Sequence, residues 1–271
     1  ATFLRGHVAW MTSFLPPRCI DPRGGFFHYY GLDGTPIDRD RRSLVSSARM
    51  VVSLAMASRA LGTDALDAAI RHGLAFLREA HLDEATGGHA WQLAWRDGAW
   101  RASDRANQCY GHVHVVLAYA HALAAGFGEA RAWLGEAFEA MERHLWEPAH
   151  GLYADVASPD WSSVDPYRGQ NANMHGCEAM LAAHAATGEA RYLDRAATRG
   201  SSGRGNGMRS MSTSWQVSPG TSRPCQRLSV PNRQVWGSST NCRASSGSCA
   251  SPCARDRKST RLNSSHVALS R

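Results

Sequence analysis

Gly88-His-Ala-Trp-Gln-Leu93 follows an acidic turn, Leu82-Asp-Glu-Ala-Thr-Gly87, and it has a counterpart on either side. Upstream, Gly25-Phe-Phe-His-Tyr-Tyr30 follows Ile20-Asp-Pro-Arg-Gly24. Downstream, Gly151-Leu-Tyr-Ala-Asp-Val156 follows Trp146-Glu-Pro-Ala-His150. The spacing is 63 residues both times (88 − 25 and 151 − 88). A turn-plus-strand signature at a fixed interval marks repeated supersecondary units.

Pairs of helices are expected between the signatures. Residues 43–61 read as a helix rich in Ala, Met and Leu, stopped by Gly62. Thr63 is a candidate cap for the next, 64–81, where Leu66, Ile70, Leu74 and Leu77 recur at helical spacing. The second unit repeats this with a nearly uncharged helix over 107–125 and an amphipathic one over 127–145. The third has a nearly uncharged helix over 171–186, Gly188, and a helix over 189–199. A helix apolar all round is expected to be buried on both sides. The first helices would then form an inner ring and the second ones an outer layer. The fold expected is all-α: a toroid of helical hairpins with short β-hairpins at one rim. An α-solenoid without a central pocket is the competing architecture.

Composition divides the chain at the same place. Residues 200–271 hold 11 of the 30 Lys+Arg and one acid, Asp256, a net of +10. Residues 1–199 hold 19 basic and 22 acidic residues, a net of −3, so the overall +7 says nothing about partners. The last segment contains 18 Ser and no periodic apolar face. It cannot bury enough surface to offset an ordering entropy of about 1–2 kcal/mol per residue. It is expected to be a disordered tail, read out of frame from a GC-rich gene and ending in an adapter remnant at Asp256–His266. Its basic residues lack aromatic interleaving, and Cys242, Cys249 and Cys253 match no strong zinc spacing, so neither nucleic acid nor metal is expected. Cys19, Cys109 and Cys177 read as free thiols of a cytoplasmic protein. No apolar run approaching the roughly 18 residues of a membrane span is evident. The first residues show neither Met nor a signal peptide, and an N-terminally clipped fragment is expected.

The polar chemistry concentrates in Arg168-Gly-Gln-Asn-Ala-Asn-Met-His-Gly-Cys-Glu-Ala179. At about 100° per residue, Asn171, His175 and Glu178 share one helix face within about 60° of arc. An amide, an imidazole and a carboxylate in one stripe suit a polyhydroxylated ligand better than a core. Arg49 has Val45, Ser46, Ser53 and Met56 on its face and no acid, and an unpaired Arg on a buried helix would be costly. On the middle inner helix His114 falls within about 40° of Tyr110, and His112 about 200° away. His114 is therefore the better lining residue by geometry. His28, His89 and His121 read as structural or surface residues. Trp91 and Trp95 could stack on a sugar or pack in the core.

Four stretches together resemble the N-acylglucosamine 2-epimerase superfamily: Gly24-Gly-Phe-Phe-His-Tyr-Tyr30, Arg42-Ser-Leu-Val-Ser-Ser-Ala-Arg49, Tyr110-Gly-His-Val-His114 and Asn171-Ala-Asn-Met-His-Gly-Cys-Glu-Ala179. Within that superfamily the Leu44-Val-Ser-Ser-Ala-Arg49 run most resembles the D-mannose isomerase branch. The resemblance spans about residues 3–199 and implies an (α/α)6 barrel, of which about three hairpins would be present. It implies a small-molecule sugar as partner, no cofactor, and interconversion of mannose and fructose or epimerisation at C2. It assigns Arg49 to the sugar oxygens and the enediolate, Asn171 and His175 to sugar binding and ring opening, and Tyr110 to the pocket wall. Glu178 would hold His175 or touch the ligand. The family's acid/base pair is two further histidines, one in a later His-x-x-Glu motif. The sequence after residue 199 offers only His266, so this chain is expected to be inactive. An α/α-barrel glycoside hydrolase would need a second carboxylate beside Glu178. A non-catalytic helical scaffold would need a uniformly apolar inner face.

Overall fold

A computed structural model describes residues 2–201. The reading of 200–271 as a tail, with His266 and the three downstream cysteines, therefore lies outside the described residues beyond Ser201. Helix α1 (Thr2–Phe14) and the short α2 (Pro16–Cys19) precede strand β1 (Arg41–Ser43). Helix α3 (Leu44–Leu61) is followed by α4 (Asp67–Phe76), which continues as a π-turn over Leu77–His81. Strands β2 (Leu82–Asp83), β3 (Gly88–His89), β4 (Gln92–Arg96), β5 (Ala99–Asp104) and β6 (Asn107–Gln108) lead into α5 (Cys109–Ala124) and α6 (Ala130–His144). Strands β7 (Trp146–Glu147), β8 (Leu152–Tyr153) and β9 (Val156–Ala157) lead into α7 (Gln170–Thr187) and α8 (Ala190–Ser201).

The 63-residue signature is realised as short antiparallel pairs. Leu82 pairs with His89 in β2–β3, and Trp146 with Tyr153 in β7–β8. The first copy is reduced to one bridge, Ile20 to Phe26. Three helical hairpins follow, α3/α4, α5/α6 and α7/α8. The nearly uncharged helices pack side by side in the order α3, α5, α7, and α1 packs on α3. Helix α5 comes so close to α3 that a Cβ on Gly111 would meet the Leu44 side chain at 2.7 Å. The amphipathic helices lie outside and are tied across hairpins by ion pairs 58 residues apart: Arg71–Glu129 at 2.6 Å, Arg78–Glu136 at 2.6 Å and Arg131–Glu189 at 3.1 Å. Exposed pairs of this kind contribute about 0–1 kcal/mol each. Their common offset repeats the register of the fold.

Several expectations need correction. Burial on all sides holds for α5 but not for α3 or α7, which expose Met56, and Met174 and Leu181. Thr63 does not cap α4. Its Oγ1 accepts the Ala65 N–H at 3.2 Å within a turn, and the helix starts at Asp67. Helix α3 is 18 residues long with a mean hydropathy of 1.3, enough to cross a membrane by length and composition. That overturns the expectation that no apolar run approaches this length. Its apolar side is accounted for by packing: Leu44, Ala48, Val51, Leu54 and Ala55 are buried in the core.

Two features were not expected at all. A three-stranded sheet, β1-β4-β5, covers the start of α3. Its β4–β5 loop is Asp97-Gly98, both with positive φ (52° and 74°), the conformation of a type I′ hairpin turn. Below it lies a buried ion pair, Arg42 Nη2 to Asp21 Oδ2 at 2.5 Å. The Arg42 guanidinium also sits 4.6 Å from the Trp100 ring and 5.0 Å from Phe27. Cys19 and Cys109 are buried free thiols, and Cys177 is half-buried.

The start of α7 hangs on two residues. Asn173, 4 % exposed, accepts the Tyr153 N–H through Oδ1 at 2.9 Å and donates through Nδ2 to the carbonyls of Tyr153 and Gly169 at 3.0 and 2.9 Å. Asp155 accepts the Gly169 N–H at 3.1 Å, and its own carbonyl accepts the Cys109 N–H at the start of α5 at 2.8 Å. The starts of both inner helices are thus set from one rim segment. Replacing Asn173 by Ala removes three hydrogen bonds to the backbone of Tyr153 and Gly169 and should cost about 1–3 kcal/mol, read as a lower urea midpoint.

The rim also encloses neutral histidines. His81 donates from Nδ1 to the Ala90 carbonyl at 2.9 Å, and Ser47 bonds its Nε2 at 3.2 Å. His112 has Nδ1 on the Gln108 carbonyl at 3.0 Å and receives the His89 N–H on Nε2 at 3.2 Å. Burial pushes both down to about 4, against the pull of those carbonyls. An unfolded histidine titrates near 6.5, so between about pH 6.5 and 4 the unfolded chain binds more protons. Stability should be fully present above pH 6.5 and fall as pH drops towards 4. A urea midpoint unchanged between pH 7 and pH 5, where most carboxylates stay ionised, would contradict this.

Candidate functional site

Tyr110 and His114 are one turn apart on α5, and His175 is in the second turn of α7. Their rings meet: Tyr110 to His114 at 4.5 Å between centroids, Tyr110 to His175 at 5.4 Å, and His114 to His175 at 5.1 Å. The 3.6-residue repeat puts Tyr110 and His114 on one side of α5, and the α5–α7 packing brings His175 against them. His112 points the other way, into the rim against His89 and Trp161.

Hydrogen bonds define both lumen-side imidazoles. His114 has Nδ1 against the Tyr110 carbonyl at 2.7 Å, so Nδ1 carries the proton and Nε2 the lone pair. His175 has Nδ1 against the Glu178 carboxylate at 2.8 Å, which gives it the same tautomer. His114 is 2 % exposed, and burial pushes it down to about 4, assisted by His175 and Arg49 and opposed by the Tyr110 carbonyl and Glu178. The Arg49 charge thus reaches this cluster from α3.

Arg49 itself is exposed, so the cost of burying an unpaired guanidinium does not apply to it. Its five donors face solvent, and no carboxylate pairs with it among the described residues. Asn171 is also exposed, one turn before His175 on the same face of α7. The other asparagine of the motif, Asn173, lies about 200° round the helix and serves the rim instead.

His121, read from the sequence as a structural or surface residue, is half-buried, seven residues after His114 and within about 20° of Tyr110 on α5. Burial lowers its pKa, and the charges of Arg59 and Glu178 act on it. Trp91 and Trp95 are occupied by protein. Trp91 packs on Gly111 and the core, and Trp95 stands against Trp100 at 5.3 Å with Arg23 at 4.9 Å.

The cluster lies on an open face rather than in an enclosed cavity. A cavity of about 590 Å³ lies at the rim around β2–β3, lined by residues including Asp83, His89, Arg105 and Asn107. None of the expected site residues lines it. The open face brings the donors of Arg49, Asn171 and Tyr110 beside the half-buried His175 and the buried His114. Such a mixture matches hydroxyl groups, each of which both donates and accepts.

Comparison with known proteins finds sugar isomerases and epimerases. A D-mannose isomerase from Marinomonas mediterranea is 44% identical over 195 residues, 72% of this chain and 48% of that protein. A crystal structure of D-mannose isomerase is 42% identical with a TM-score of 0.69, covering 74% of this chain and 50% of the other. The cellobiose 2-epimerase of Spirochaeta thermophila, 23% identical with a TM-score of 0.64 over 73% of this chain and 52% of its own, shares the fold. These structures are (α/α)6 barrels. The chain spans about half the length of the curated relatives it matches. The N-acylglucosamine 2-epimerase profile matches residues 25–200, and the chain belongs to that family.

Proposed function

We propose that the α3/α5/α7 face is the sugar-binding and ring-opening part of an aldose–ketose isomerase site, with mannose and fructose as the pair. The observation that carries this reading is the convergence of Tyr110, His114 and His175, with Glu178 fixing His175 and the Arg49 charge reaching His114. The likeness to D-mannose isomerases supports the choice of sugar.

The chemistry asks for removal of the proton α to the carbonyl of the open-chain sugar and for stabilisation of the enediolate. Arg49 supplies a permanent positive charge and fixed donors for the oxygens on C1 and C2. His175, oriented by Glu178 through Nδ1, presents Nε2 to a sugar hydroxyl and so assists ring opening. His114 accepts from a second hydroxyl, and Asn171 and Tyr110 fix the pose. Glu178 is the carboxylate acting on this cluster, and one carboxylate does not make the pair that a glycoside hydrolase uses. Proton transfer at C2 needs two more histidines, and residues 200–271 contribute only His266. We therefore expect binding without turnover.

Isothermal titration with D-mannose should show one saturable site. Arg49→Met and His175→Phe should each weaken it by about tenfold or more, equivalent to about 1.4 kcal/mol. Unchanged affinity in both variants would sink the assignment. Release of fructose from mannose would refute the expectation of no turnover.

A further inference from the structure

The rim cavity around β2–β3 is untouched by the sugar reading, and its lining has a chemistry of its own. Its volume of about 590 Å³ is that of a small-molecule site. The ionised side chains along it are Arg101 and Arg105 against Asp83 and Glu84, a net charge of zero. Arg105 is paired with Asp83. Arg101 and Glu84 have no ionic partner among the described residues. His81 and His89 also line the cavity and add no charge at pH 7, because burial holds both well below their ordinary value.

Two further features set this wall apart. His89 is 2 % exposed, and neither of its ring nitrogens has a hydrogen-bond partner. A buried polar group left in this way is costly and calls for one. Both nitrogens are also closed to solvent, so a ligand reaches them only where the wall gives way. Part of that wall is strained. Trp161 has φ 63°, a left-handed conformation that bulky side chains rarely adopt. Its Nε1 donates to the Thr86 carbonyl at 3.0 Å, and its ring stacks on His144 at 4.5 Å. Trp161 thereby ties together Thr86 and the segment of Pro159, both of which line the cavity. Backbone strain of this kind concentrates at ligand clamps and switch segments.

We propose that the rim cavity is a second binding site, for a small zwitterion of the α-amino-acid class. Arg101 takes the carboxylate, Glu84 takes the ammonium, and a side chain that both donates and accepts hydrogen bonds completes His89. The charges decide against the alternatives. A simple anion or cation leaves one of Arg101 and Glu84 unpaired. A neutral polyol strips water from both without supplying an opposite charge. A neutral imidazole has one donor and one acceptor, which a carboxamide matches. The proposal goes beyond the sugar reading and does not rest on it, since none of the residues assigned to the sugar lines this cavity.

Isothermal titration of the full chain with L-glutamine is the test, with L-norleucine as a probe of equal length that lacks the amide. Glutamine should bind at one saturable site, and norleucine at least fivefold more weakly. Arg101→Gln and Glu84→Gln stand at exposed positions, so circular dichroism should be unchanged. Each should weaken glutamine by about tenfold or more. Saturating D-mannose should leave the glutamine affinity as it was. No binding of glutamine at millimolar concentration, with the cavity holding only water, overturns the proposal. So does equal binding of the two probes, and so does unchanged affinity in both variants. Displacement of glutamine by mannose would place it on the Arg49 face and overturn the proposal while leaving the sugar reading intact.

Discussion

Helix α5 is flanked by α3 and α7, backed by α6, and buried along almost its whole length. No charged side chain fits there, and between Cys109 and Ala124 the sequence contains none. Polar groups on it must be neutral and internally satisfied. His112 and His114 meet that condition by donating to carbonyls four residues back, which fixes their tautomers. The packing that makes α5 a core helix therefore also prepares His114 as a neutral acceptor beside His175. Gly111 allows the close approach to Leu44 that brings the α3 face, and with it the Arg49 charge, within reach.

The rim strands follow from the same requirement. Inner helices must start in register if their first turns are to share a face. Asp155 bonds the beginnings of both α5 and α7, and Asn173 fastens α7 to β8. The second asparagine of the Asn-x-Asn motif is thus architectural, whereas the first faces solvent. One short motif serves two ends because alternate residues on a helix point in nearly opposite directions.

Local chemistry was legible in the sequence. The 63-residue turn signature gave the hairpins, and Gly62 and Gly188 stop α3 and α7 in the left-handed conformation expected of them. Helical angles alone separated His114 from His112. Long-range partners were not legible. The pairing of β1 with β4 joins residues some 50 positions apart. Nothing near Arg42 in the chain announces Asp21, or the rings of Phe27 and Trp100 around it. The start of α4 at Asp67 and its π-turn depend on how the helix end meets Ser47 and the rim. The exposure of Arg49 reflects which flanks of α3 have neighbours, and a single helix does not encode that.

The central claim is that Arg49, Tyr110, His114, Asn171 and His175 form one sugar site. A crystal structure of the chain soaked with D-mannose tests it most directly. The account predicts electron density for the sugar on the α3/α5/α7 face, with hydroxyl oxygens within hydrogen-bond distance of the Arg49 guanidinium and of Nε2 on His175. Sugar bound instead in the rim cavity around His89, with the Arg49 face occupied only by solvent, would contradict it.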